Sequence, residues 1–160
     1  MTSYSGSVLT DLDDRTVRLN SGGTLETIDQ FKFVGYIAAT STTATTETSL
    51  GSVVVSANTL SEKLIVDVPF YTYVHTTDTL GDAVSVTVKI YVDGTAEVTR
   101  RAGLKIDQGT TGDWYVGNTA IYVGGTADLD FSTAHTVEVK AYTNNTNRPC
   151  YINDSIVYGI

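Results

Sequence analysis

The sequence is short of nearly every residue on which catalytic or metal chemistry is built. It holds one cysteine, Cys150, so no internal disulfide can form, and a lone thiol with no partner pattern reads as buried or idle. His75 and His135 are the only imidazoles, too few for a zinc cluster. No serine stands in a G-x-S-x-G elbow. Glu26, Glu47, Glu62, Glu97 and Glu138 offer carboxylates, yet no pattern selects a pair for glycoside hydrolysis. The expectation is therefore no enzyme, no catalytic residue, no cofactor and no metal site.

Basic residues are also few. Ten Lys plus Arg stand against eighteen Asp plus Glu, a net charge of −8, and the cations are scattered, which excludes the basic face that phosphate binding needs. No hydrophobic run approaches the length of a membrane-spanning helix. The start, MTSYSGSVLTDLDDR, has neither a basic beginning nor an apolar core, so it does not read as a signal peptide. No window of eleven residues carries a helical stripe.

What is abundant is Thr, Val and Tyr, residues that suit pleated, half-buried surfaces. The clearest stretch is 83–106, AVSVTVKIYVDGTAEVTRRAGLKI, two alternating runs joined at Asp93-Gly94. Val84, Val86, Val88, Ile90 and Val92 share one face. A bare two-residue loop would set Ile90 against Glu97 and mix the faces. The alternation therefore predicts a three-residue loop, Val92-Asp93-Gly94, that pairs Ile90 with Ala96 and Val88 with Val98. Arg100 then falls opposite Val86 on the apolar face, a misfit that marks a second bulge or a partly open end.

Other strands read similarly. Residues 1–14 look like an arm or short edge strand, and residues 15–160 like a single domain. Strand 15–19 ends in the turn 20–23. In 31–39, Phe31, Phe33, Ile37 and Ala39 share a face, and the Thr-rich stretch 40–49 reads as a surface loop or linker. Residues 52–57 suggest a buried strand around Val53, Val54 and Val55. Residues 63–75 give a long strand with Leu64, Val66, Val68, Phe70 and Val74 inward, and Pro69 implies an edge or a bulge. Residues 108–112 read as a turn, and 113–123 as two short strands or one bent strand. Residues 135–143 place Val137, Val139 and Ala141 inward with His135 at the surface, and 150–158 form a last strand or pair. Short strands at this spacing predict an all-β, antiparallel two-sheet β-sandwich of jelly-roll type.

Some polar groups invite a functional reading. Asp11, Asp13 and Asp14, and separately Asp128 and Asp130, could attract calcium, but neither set has the spacing of an EF-hand loop and turn carboxylates are the simpler reading. Asn144-Asn145-Thr146 and Asn153-Asp154-Ser155 match the glycosylation pattern, common by chance in such a composition. Tyr71 and Tyr73 lie on the polar face of their strand, and Trp114 and Tyr115 follow a Gly-rich turn. With Arg100, these are the candidate residues for a subunit interface or for stacking on sugar rings.

Two segments, SVVVSANTLSEKLIVDV (52–68) and HTVEVKAYTNNTNRPCYINDSIVYGI (135–160), resemble the β-sandwich domains of tailed-phage virion proteins such as head decorations, fibres and tail-tip proteins. Ala57-Asn58-Thr59-Leu60 and Tyr151-Ile152-Asn153-Asp154 carry the likeness. It implies a non-enzymatic virion structural protein located on a particle surface, made without a signal peptide. The implied partners are itself, as a symmetric homo-oligomer with a trimer first, and a capsid or other virion protein, with neither nucleic acid nor membrane. A carbohydrate-binding module or adhesin is the alternative, and a hydrolytic domain a distant third.

Overall fold

The alternation KLIVDVPFYTYV folds as β6 (Lys63–Val74), which buries Leu64, Val66, Val68, Phe70, Thr72 and Val74 and turns the residues between them outward. A computed structural model describes residues 17–19, 25–27, 32–60, 62–75, 83–105 and 113–160. Arm 1–14, turns 20–23 and 108–112, and Asp11, Asp13 and Asp14 lie outside the described residues.

β6 is the spine of the larger sheet. Along one side it pairs over its full length with β9 (Trp114–Gly125). Along the other, β12 (Ser155–Gly159) pairs with its first half and β11 (Cys150–Ile152) with its second. Beyond them lie β3 (Lys32–Ile37), against β12, and β4 (Thr40–Thr42), against β11. The smaller sheet runs β5 (Thr48–Val55), β10 (His135–Thr143), β7 (Ala83–Val92), β8 (Thr95–Lys105). A separate pair, β1 (Val17–Leu19) and β2 (Leu25–Thr27), forms its own two-stranded sheet.

From β3 onward the chain stays within a sheet only between β3 and β4, at the β7–β8 hairpin and at the β11–β12 turn; its other steps there change sheet. The fold is an all-β antiparallel sandwich. Its core joins Leu64, Val66, Val68 and Phe70 of one sheet to Val86, Val88, Ile90, Val137 and Val139 of the other, all essentially without exposure. Full burial contributes roughly 1.5–3 kcal/mol for each such side chain.

Several expectations need correction. The hairpin loop is two residues, with Asp93 at φ 50° and Gly94 at φ 81°, the left-handed pair of a type I′ turn. The faces are reconciled one step later, where Ile90 pairs with Val98 and Tyr91 with Ala96, leaving Glu97 as the bulged residue. Arg100 consequently lies opposite Val88, with Ala102 opposite Val86, and it is exposed because β8 is an edge strand. A second bulge at Val34 parts Phe33, 64 % exposed, from Ile37, 4 % exposed, which were expected on one face.

The Thr-rich stretch is not a plain loop, for it supplies β4 and the start of β5, where β-branched threonines suit exposed edges. Within β5, Val54 points out and is 62 % exposed. Pro69 sits at neither an edge nor a bulge. Its carbonyl accepts from Asn153 N at 3.0 Å in the gap between β11 and β12, so its missing N–H faces a place where the ladder is already broken. Residues 114–125 form one unbroken strand. His135, expected at the surface, is 6 % exposed.

Candidate functional site

The two outer faces of the sandwich differ in chemistry. On the smaller sheet the outward positions of β7 and β10 carry Thr87, Lys89, Tyr91, Glu138, Lys140 and Tyr142, and the charges answer one another. Lys89 pairs with Glu47, whose other oxygen accepts from Tyr91 Oη at 2.6 Å, and these bonds, that from Lys89 first, hold the Glu47 carboxyl below its ordinary range. Lys140 Nζ lies 3.3 Å from Glu138 and 4.4 Å from the centre of the Tyr91 ring. Arg101 donates to Ser85 Oγ at 2.8 Å. This is a surface made for water.

The larger sheet turns apolar and aromatic side chains outward. Directly paired residues share a face, so the register places Ile121, Asp67, Ile156 and Tyr36 in one row across β9, β6, β12 and β3. Val123, Ile65, Tyr158 and Phe33 form the next. Among the described residues, six of the eight exposed large apolar side chains, Phe33, Tyr36, Tyr115, Ile121, Val123 and Ile156, belong to this face. Four strand positions at about 4.8 Å and a twelve-residue β6 at about 3.3 Å per residue give a footprint of roughly 19 by 40 Å. That approaches the ~800 Å² that each partner contributes to a standard protein interface.

At the far end of this face the register gathers tyrosines. Tyr71 pairs with Tyr151 of β11, and Tyr73 with Tyr115 of β9. The Tyr71 and Tyr151 rings stack at 5.0 Å with an interplanar angle of 11°. Tyr115 meets Tyr71 at 6.2 Å and Tyr73 at 5.7 Å, and the Arg148 guanidinium lies 5.3 Å over Tyr73. Three of the five candidate residues, Tyr71, Tyr73 and Tyr115, thus meet.

The other two do not join them. Trp114 is opposite the buried Val74, so it faces the other way at the end of the sandwich, half exposed. Arg100 lies on the smaller sheet. Tyr151 was missed by sequence reasoning, although the alternation Cys150-Tyr151-Ile152, with Cys150 and Ile152 inward, carries the signal.

The remaining polar groups serve structure. Asp130 Oδ1 accepts from Ser132 N at 3.0 Å and Ser132 Oγ at 2.6 Å, and Asp128 Oδ2 accepts from Gly125 N at 3.3 Å, so both acids close their own turn. His75 lies 3.3 Å from Asp113. Among the described residues no group of three or more metal-ligating side chains occurs. Cys150 is fully buried, and burial pushes its thiol up to about 12.

No family model matches the sequence. No curated protein matches it either. Among solved structures, a chain in the crystal structure of the T13 IBDV viral particle aligns over 84 % of this chain with 15 % identity and a TM-score of 0.42. The match covers 33 % of that chain, so the present chain spans about a third of its length. A likeness at this level assigns no function.

Proposed function

We propose that this protein is a non-enzymatic structural subunit of a virus particle, a capsid decoration or fibre subunit that self-associates and binds a particle surface. The observation that carries the reading is the one-sided distribution of apolar side chains. A monomer that lives in water has no use for Phe33, Tyr36, Ile121, Val123 and Ile156 on one exposed sheet face while its opposite face is polar and internally paired. A contiguous apolar face of this kind marks an interaction site.

The strand order supports the same reading. Merging β3 with β4 and β11 with β12 leaves two four-position sheets linked mainly by sheet-to-sheet crossings, the arrangement of a jelly roll, which capsid and lectin domains use. The tailed-phage likeness of segments 52–68 and 135–160 belongs to this proposal, as do a trimeric state and a virion location. Sedimentation velocity over a wide concentration range tests it. Assembly to a defined oligomer is expected, and a strict monomer at the highest soluble concentration would remove the self-association.

One observation favours a second reading. Tyr115 is 65 % exposed beside three further tyrosine rings, an arrangement able to stack on a sugar ring. A glycan array on which Tyr115→Ala abolishes binding would establish it; an array with no binder would remove it.

A further inference from the structure

The larger sheet's outer face holds one anomaly, and it names what covers the face. Asp67 lies between Ile121 and Ile156 in the middle row, and its Oδ1 is the only buried side-chain polar atom among the described residues with no hydrogen-bond partner. No cation pairs with it among the described residues. Lys63 closes the end of the same face four positions along β6, about 13 Å away. The nearby acid, Asp154, is occupied by Ala39 N at 2.8 Å.

A carboxylate in this setting selects its cover. A two-fold stack of this face on itself, centred on the middle row, would bring two Asp67 carboxylates together as water leaves, and like charges repel most strongly where the dielectric is low. The complementary surface is apolar in part, differs from the face itself and supplies a cation.

The chain carries such a surface. Lys89 and Lys140 are held by Glu47 and Glu138, Arg101 by Ser85, and Arg148 lies over Tyr73. Lys32 and Lys63 belong to the sheet that bears Asp67; a second copy's Lys63 reaches Asp67 only in a face-to-face stack centred on the Ile65 row, an arrangement that Arg100→Asp would leave intact. Outside the larger sheet and its loops, the described cationic side chains without an acidic partner are Arg100, Arg101 and Lys105, all on the exposed edge strand β8, and of these Arg101 is turned onto Ser85. Arg100 sits mid-strand, and among the described residues its only hydrogen bond is Nη1 to the adjacent Thr99 carbonyl at 3.0 Å. A guanidinium is weakly hydrated and forks onto a carboxylate, which suits a pair that loses its water.

We propose that the outer face of the larger sheet in one copy receives the β8 edge of a second copy, with the Asp67 carboxylate meeting the Arg100 guanidinium. The inference rests on the self-association argued above and assigns it a specific contact.

Charge exchange tests it by sedimentation equilibrium on the full chain. Asp67→Arg and Arg100→Asp each weaken assembly at least tenfold, and an equal mixture of the two variants associates again into mixed pairs, in which each supplies the charge the other lacks. A closed trimer is not fully restored, because three copies of two kinds cannot alternate around a ring. Asp67→Asn, which changes size least, weakens assembly in the same direction should Asp67→Arg fail to fold. Variants that assemble as well as the wild type overturn the contact and leave self-association standing. Wild-type protein that stays monomeric overturns both.

Discussion

His135 Nδ1 lies 2.6 Å from Asp93 Oδ2, while Nε2 of the same ring lies 2.9 Å from the Asp130 carbonyl oxygen. Both neighbours only accept, so both ring nitrogens must donate, and the form that satisfies the site is the imidazolium. Asp93 also accepts from Thr136 N at 2.8 Å, which ties the β7–β8 turn to the start of β10, and the Phe131 ring covers the imidazole edge-on.

This clamp gives stability a defined pH dependence. The hydrogen bond that His135 donates to Asp93, outweighing burial, raises the His135 pKa above its ordinary value. Its contribution is therefore complete below about pH 6.5 and is lost as pH rises through the raised folded value. For Asp93, burial pushes the pKa up but the bonds from His135 and Thr136 win, so it is lowered, and its contribution is lost as pH falls through that depressed value. Thermal melts should show the pair's full effect between about pH 4 and 6.5, with a decline above it that His135→Gln abolishes.

Asp67 should cost the isolated subunit stability. A buried acceptor without a partner carries a desolvation penalty of about 1–3 kcal/mol. Asp67→Val keeps a strand-compatible shape and removes the penalty, so urea denaturation at concentrations low enough for monomers should give a midpoint above that of the wild type. A lower midpoint would mean that the carboxylate is satisfied.

The stacked pair Tyr71 and Tyr151 should show coupling. Offset aromatic pairs contribute roughly 0.5–1.5 kcal/mol beyond their buried area. A double-mutant cycle through Tyr71→Leu and Tyr151→Leu should return a coupling in that range, and a value near zero would make the two rings independent.

Cys150 should be silent in the folded state. With the thiol buried and its pKa pushed to about 12, almost no thiolate forms at neutral pH and no reagent reaches it. Labelling by an aromatic disulfide should proceed only at the rate of unfolding and accelerate sharply in urea.

Much of the fold is legible in residue order because alternation is a direct record of which side of a strand is buried. β6, β7 and β10 show their inward valines without ambiguity, and the hairpin announces itself at Asp93-Gly94. The bulges at Val34 and Glu97 are not legible, since one extra residue reverses every later side chain and either placement satisfies the local pattern. The alternation alone therefore places Phe33 inward and makes the turn one residue too long, and only the register corrects both.

The candidate site was legible in part for a related reason. Tyr71, Tyr73 and Tyr115 declare an outward aromatic face, but that they meet Tyr151, and that Phe33, Ile121 and Ile156 extend the face across four strand positions, follows from strand order rather than from any one strand. The role of His135 was hidden likewise, because its partners stand 42 and 5 residues away.

Side-chain footprinting by hydroxyl radicals, read by mass spectrometry as concentration rises, tests most directly whether the larger sheet's outer face is the covered surface. Phe33, Tyr36 and Tyr115 should become protected as assembly proceeds while Tyr142, outward on the smaller sheet, keeps its reactivity. Protection confined to Tyr142 and its neighbours, or assembly that leaves Phe33, Tyr36 and Tyr115 as reactive as in the monomer, would contradict the account.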